Sequence, residues 1–176
     1  MSSLPNNPNF PTPSQVPENA ILDINGKQTY LGNSFILPLN GLLLTSADET
    51  TAALIENPAT SKKSLFLFTR SATADAEAVL RYYFNPTVVT PGTPTTPINL
   101  RPASFNTSSS LCYLTPTTSS NGTFFSTVGT EVTIEVLSNI IFILDPGQSL
   151  LITAQSPTWS EGNDVLVYSE NVWYEI

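Results

Sequence analysis

Fifteen prolines and eight glycines are spread so widely through this 176-residue chain that no apolar stretch runs far before a turn residue interrupts it. Proline lacks the donor that a helix interior or a central strand needs, and glycine weakens both, so the turns of the fold have to fall where these residues sit. Short apolar runs bounded by Asn-Gly, Asn-Pro and Pro-Gly point to many short strands.

The strands can be placed one by one. Asn25-Gly26, after Ile21-Leu22-Asp23-Ile24, and Asn40-Gly41, between Phe35-Ile36-Leu37-Pro38 and Leu42-Leu43-Leu44-Thr45, each predict a two-residue hairpin turn, because both central residues tolerate positive φ. Residues 51–56 read as a strand ended by Asn57-Pro58, and Ser64-Leu65-Phe66-Leu67-Phe68-Thr69 as a buried one. Over 72–80 the alanines favour a helix, yet Val79, Arg81 and Tyr83 alternate with Leu80, Tyr82 and Phe84; this period of two predicts a loop and then a strand over 78–84, ended by Asn85-Pro86. Pro91, Gly92, Pro94 and Pro97 then mark an exposed Thr-rich loop.

Further strands are expected at 111–115, 123–125, 131–137, 140–144, 149–153 and 165–174, with Asp145-Pro146-Gly147 as a break. Roughly eight to eleven short strands predict an all-β chain built as an antiparallel β-sandwich or barrel, and no exact internal repeat is visible. The domain division is an N-terminal arm over residues 1–19 and a single β-sandwich domain over 20–176. The arm has prolines at 5, 8, 11, 13 and 17, which favour an extended, polyproline-like course. Leu4 and Phe10 are its large apolar anchors, with Pro11 and Pro13 beside them, and these four are its candidate interaction residues, facing a neighbouring subunit.

Composition narrows the function. Charged residues make up 11%, with 14 acidic against 6 basic and a net charge of -8, so binding to nucleic acid through clustered Lys and Arg is not expected. Histidine is absent, which removes Ser-His-Asp and Cys-His nucleophiles, imidazole acid-base chemistry and His-ligated metals. Glu131 and Glu135, four apart on a predicted strand, and Asp75 with Glu77 read as solvated carboxylates. Lys62-Lys63 before Ser64 lacks the Ser-x-x-Lys spacing of a Ser-Lys site and reads as a turn with two solvated charges. No calcium-loop pattern occurs, and Cys112, inside an apolar run, reads as a buried inert thiol. The expectation is therefore a non-enzymatic protein with no catalytic residue, no cofactor and no metal.

The opening residues lack the basic and apolar regions of a secretory leader, and no run is long enough for a membrane helix, so neither secretion nor membrane contact is expected. The sequons at Asn106 and Asn121 read as chance matches. Among the aromatics, Tyr82-Tyr83-Phe84 cannot all face one core, so at least one ring emerges on the other side. Tyr82, Tyr83 and Trp173 are the body's candidate interaction residues, for core or intersubunit packing ahead of stacking on a sugar.

Several of these segments carry a resemblance. Glu56-Asn57-Pro58 followed by Ser64-Leu65-Phe66-Leu67, the Tyr83-Phe84-Asn85-Pro86 strand end, the loop from Gly92-Thr93-Pro94 to Asn99-Leu100, and Asp145-Pro146-Gly147-Gln148-Ser149-Leu150-Leu151-Ile152 resemble small β-sandwich virion proteins of tailed bacteriophages, over roughly residues 50–155. The resemblance implies a jelly-roll-like domain and a structural role in capsid decoration, head fibres or the tail, and it supplies no catalytic residue. It implies as partners the chain itself, as a homo-oligomer such as a trimer, and the major capsid or other virion proteins, with the virion, assembled in the host cytoplasm, as location. The alternatives are a tail or fibre receptor- or carbohydrate-binding module and a subunit of a surface filament.

Overall fold

The computed structural model describes residues 24–130 and 142–176. The arm 1–19, with Leu4, Phe10, Pro11 and Pro13, and the Glu131/Glu135 strand lie outside the described residues.

The chain enters through a helix, α1 (Ile24–Leu31), where a hairpin was expected at Asn25-Gly26. Lys27 and Gln28 begin no apolar alternation, so no return strand exists for that turn to serve. The helix closes with Gly32 N donating to the Thr29 carbonyl (3.0 Å) and Asn33 N to the Gln28 carbonyl (2.9 Å), the paired bonds of a Schellman end. The second Asn-Gly does not make a hairpin either. It lies inside one strand, β1 (Ser34–Leu44), as a bulge: Leu39 pairs with Ser169 and Leu42 with Val167, so β1 carries one extra residue there, and Gly41 takes φ 76°. The bulge switches the inward phase. Phe35, Leu37 and Leu39 face the core before it, Leu44 after it.

The remaining strands are β2 (Thr50–Glu56), β3 (Leu65–Ala74), β4 (Ala78–Phe84), β5 (Thr87–Thr90), β6 (Thr93–Thr95), β7 (Ile98–Asn99), β8 (Leu111–Leu114), β9 (Thr117–Ser120), β10 (Thr123–Thr130), β11 (Phe142–Leu144), β12 (Ser149–Gln155) and β13 (Val165–Glu175). One sheet has the order β11-β3-β13-β1-β7, the other β10-β4-β12-β2-β8-β6. Taken in chain order without β5 to β9, the eight principal strands pair first with eighth (β1, β13), second with seventh (β2, β12), third with sixth (β3, β11) and fourth with fifth (β4, β10), all antiparallel. A long folded ribbon of that kind, wrapped so that β13 also meets β3 and β12 also meets β4, is a jelly roll. Phe35, Leu37, Leu65, Leu80, Tyr82, Leu150, Ile152 and Trp173 fill the space between the sheets.

The segment 85–122, between β4 and β10, extends both sheets: β7 adds to β1, while β8 and β6 add to β2. It also contains a repeat hidden from the linear reading. Tyr83, Pro86, Thr87, Gly92 and Thr93 recur thirty positions later as Tyr113, Pro116, Thr117, Gly122 and Thr123. The two copies are related by a pseudo-dyad. Thr93 and Pro94 pair with Leu114 and Tyr113, while Thr123 and Phe124 pair with Phe84 and Tyr83. β5 pairs with β9, the matching element of the other copy, and the order β10-β4-β12-β2-β8-β6 reads as its own mirror about β12 and β2. Asn85 and Thr115 share a positive φ (50° and 49°), as do Gly92 and Gly122 (90° and 88°).

At one pole of the sandwich the proline turns tie together. Asn57, 1% exposed, donates Nδ2 to the Lys63 and Leu144 carbonyls (2.8 Å each), and its carbonyl accepts from Gly147 N (2.7 Å). Asn85 Oδ1 accepts from Ser149 N (3.0 Å), and Asp145 Oδ1 accepts from Ser64 Oγ (2.7 Å).

Candidate functional site

Of the two packings expected for the candidate aromatics, core or intersubunit, Tyr82 and Trp173 take the core one. Tyr82, 1% exposed, packs its ring 4.9 Å from Phe142, and Trp173, with no exposed surface, lies 6.2 Å from Phe35. Both fall on the inward phase of their strands, so neither ring meets another molecule in the folded subunit. Tyr83 occupies the opposite phase and emerges on the outer face of the six-stranded sheet, as the alternation requires.

Tyr83 belongs to a polar and aromatic group on that face. Its hydroxyl donates to Glu49 Oε1 (2.8 Å), and the same oxygen accepts from Thr153 Oγ1. Arg81 Nη1 lies 3.9 Å from Glu49 Oε1 and donates to Gln155 Oε1 (2.6 Å). Burial first, then the hydrogen bond to Glu49 and its charge, push the Tyr83 hydroxyl above the ordinary tyrosine range. The ring meets Phe124 edge-on, 5.6 Å between centroids.

Phe124 and Phe125, on β10, are 54% and 47% exposed. The ladder to β4 bulges between Phe124 and Ser126. Phe125 thereby turns to the opening between the sheets, 5.0 Å from both Phe84 and Phe142. Ile143, on the neighbouring edge strand β11, is 48% exposed. The strand pattern over 123–125 gives its rings no role; the consecutive Phe-Phe next to a Gly-Thr turn is the available signal.

A pocket of about 250 Å³ lies at the opposite edge, walled by Thr95, Thr96, Thr107, Ser108 and Tyr113 with Phe35 and Cys112 at its base. Burial pushes the Cys112 thiol up to about 12, which leaves it a weak nucleophile. Beside the pocket, the buried Glu175 carboxylate accepts from Ser108 Oγ (2.6 Å), Ser109 N (2.9 Å), Ser109 Oγ (3.1 Å) and Lys63 Nζ (3.2 Å). Lys63 is thus an ion-pair partner rather than a freely solvated charge. Ser64 turns to Asp145.

Among the described residues no group of three or more Cys, Asp and Glu side chains is placed to hold a metal ion, and no helix is long and apolar enough to cross a membrane. Comparison with protein-family models, with curated proteins and with solved structures finds no match for this chain.

Proposed function

We propose that this chain is a non-enzymatic structural subunit of a tailed-phage virion: a capsid decoration or cement subunit that stabilises the shell by contacts with its own copies, as a trimer or another cyclic oligomer, and with the major capsid protein. The observation that carries this reading is the β10 strand, where Phe124 and Phe125 stand half exposed side by side, with Ile143 half exposed on β11 of the other sheet. Rings kept in water at a sandwich edge mark a contact with another protein. The rest of the molecule supports it. The buried Asn57 amide nitrogen and Glu175 carboxylate are engaged in internal ties, and the surface is rich in Thr and Ser, whose short side chains lose little rotamer entropy in repetitive contacts. Jelly rolls recur among viral capsid domains. The test is to image particles carrying a labelled copy of the full chain: regular shell positions are expected, and a label confined to the tail, or no label at all, would refute the assignment.

One observation favours a second reading, a receptor- or carbohydrate-binding module. The half-exposed Phe124 ring meets Tyr83, whose hydroxyl joins the Glu49, Arg81 and Gln155 polar group, so an apolar ring lies one residue away from directional polar groups. Glycan-array binding that disappears in Phe124→Ser would support it, and an unlabelled array would exclude it.

A further inference from the structure

The pseudo-dyad makes the two edges of the six-stranded sheet directly comparable. β6 and β10 are its outermost strands, and among the described residues no further strand pairs with either. They are equivalent positions of the repeat, so Pro94 and Thr95 on β6 correspond to Phe124 and Phe125 on β10. The β6 edge is closed to strand addition, since Pro91, Pro94 and Pro97 punctuate it and each removes a donor. The β10 edge has no proline between 123 and 130, and where its counterpart carries Pro-Thr it presents two half-exposed rings. Among the described residues, one of two equivalent edges is blocked, and the other is open and apolar.

The same chain contains a segment suited to such an edge. In residues 9–17 the prolines fall at 11, 13 and 17, all odd, while Phe10, Thr12, Ser14 and Val16 alternate with them. In an extended strand alternate residues direct their N–H and C=O groups to the same side. Residues 10, 12, 14 and 16 would therefore present a full set of donors and acceptors to one neighbour, with the prolines on the side that has none. This is the pattern of a strand that pairs on one edge only. Seven residues at about 3.3 Å each reach about 23 Å, close to the length of β10.

We infer that residues 10–16 of one copy add as an outermost strand to the open edge of β10 in a second copy, bringing Phe10 against Phe124 and Phe125. This rests on the reading of the chain as an assembling subunit and names the contact. On that reading a second copy is the source; among the described residues nothing covers more than about half of either ring.

Full-length chains altered at a single arm position, one of each parity, test this. Ser14→Pro sets a proline on the pairing side, whereas Gln15→Pro adds one to the side already lined with prolines. Self-association, followed by sedimentation across a concentration series, is expected to weaken about tenfold or more in Ser14→Pro and to change less than about twofold in Gln15→Pro. Amide hydrogen exchange within 123–130 is expected to slow on association in the unaltered chain and in Gln15→Pro but not in Ser14→Pro. Equal association of the two variants, or protection that appears on another strand, overturns the inference and leaves the assembling subunit standing. A full-length chain that remains monomeric throughout removes both.

Discussion

Leu54 and Leu151 stand opposite each other in the β2–β12 ladder, and neither has any exposed surface. They are the pair through which the pseudo-dyad of the six-stranded sheet passes: Leu54 also pairs with Tyr113, and Leu151 with Tyr83, the two matching tyrosines of the repeat. Each Leu→Ala substitution is expected to cost about 2–5 kcal/mol. Because opposed side chains share one contact, the double variant should lose less than the sum of the two singles. Urea unfolding of all four chains measures this, and strict additivity would show that the two leucines do not pack together.

The repeat also predicts a sharp difference among glycines. A Cβ on Gly122 would fall inside van der Waals contact of the Phe84 carbonyl oxygen, and one on Gly92 would do the same to the Leu114 carbonyl, both at a positive φ. Gly129 has no atom near its missing Cβ and no positive φ. Gly92→Ala and Gly122→Ala should each destabilise by more than about 1 kcal/mol, while Gly129→Ala should be neutral or slightly stabilising. Melting temperatures of the three variants decide it, and equal shifts would contradict the geometry.

Glu175 and Lys63 form an ion pair of unequal partners: the carboxylate side chain is fully buried, and the lysine side chain is 45% exposed. Glu175→Ala strands the donors of Ser108 and Ser109, and is expected to cost about 3 kcal/mol or more. Lys63→Met removes one donor of four, a half-exposed ammonium, and leaves the three serine donors on the buried carboxylate, so it should cost less than Glu175→Ala. If the two substitutions proved equally harmful, the serine loop 108–110 could not be what holds that carboxylate.

Local signals were legible where one strand answered to one pattern. The period of two across 78–84 and the Asn-Pro stops placed β2 and β4 on the residues where they occur. Asn25-Gly26 and Asn40-Gly41 misled for a shared reason: the dipeptide specifies tolerance of positive φ, and only the flanking strands decide whether that becomes a hairpin, a helix start or a bulge. The Thr-rich loop expected over 91–97 holds β6, whose ladder to β8 depends on residues far along the chain. The repeat escaped notice because its recurring residues are mainly turn formers, with the strands between them free to vary. Alternation requires that at least one ring of 82–84 emerge without saying which, and Phe124 and Phe125 matter through the bulge between Phe124 and Ser126, which no residue type announces.

Cys112 gives a prediction that links packing to pH. Its pKa rises from 9.0 to about 12, first through burial, against a lowering contribution from the Ser110 hydroxyl 3.6 Å away, with the charges of Glu175 and Glu56 adding to the rise. The folded state therefore holds the proton more tightly than the unfolded chain. Below about pH 9 both states keep the proton and this group leaves stability unchanged with pH; between about 9 and 12 only the unfolded chain releases it, so stability falls as pH rises. At pH 8 the native thiol should react with an aromatic disulfide reagent only through opening of the fold, about a thousandfold more slowly than in denaturant, with a rate that climbs with urea. Cys112→Ala should remove its share of the alkaline loss while retaining the rest of the pH profile. Rapid labelling without denaturant would mean that the wall formed by β6 and β8 opens readily, and that the adjoining pocket is wider in solution than its volume indicates.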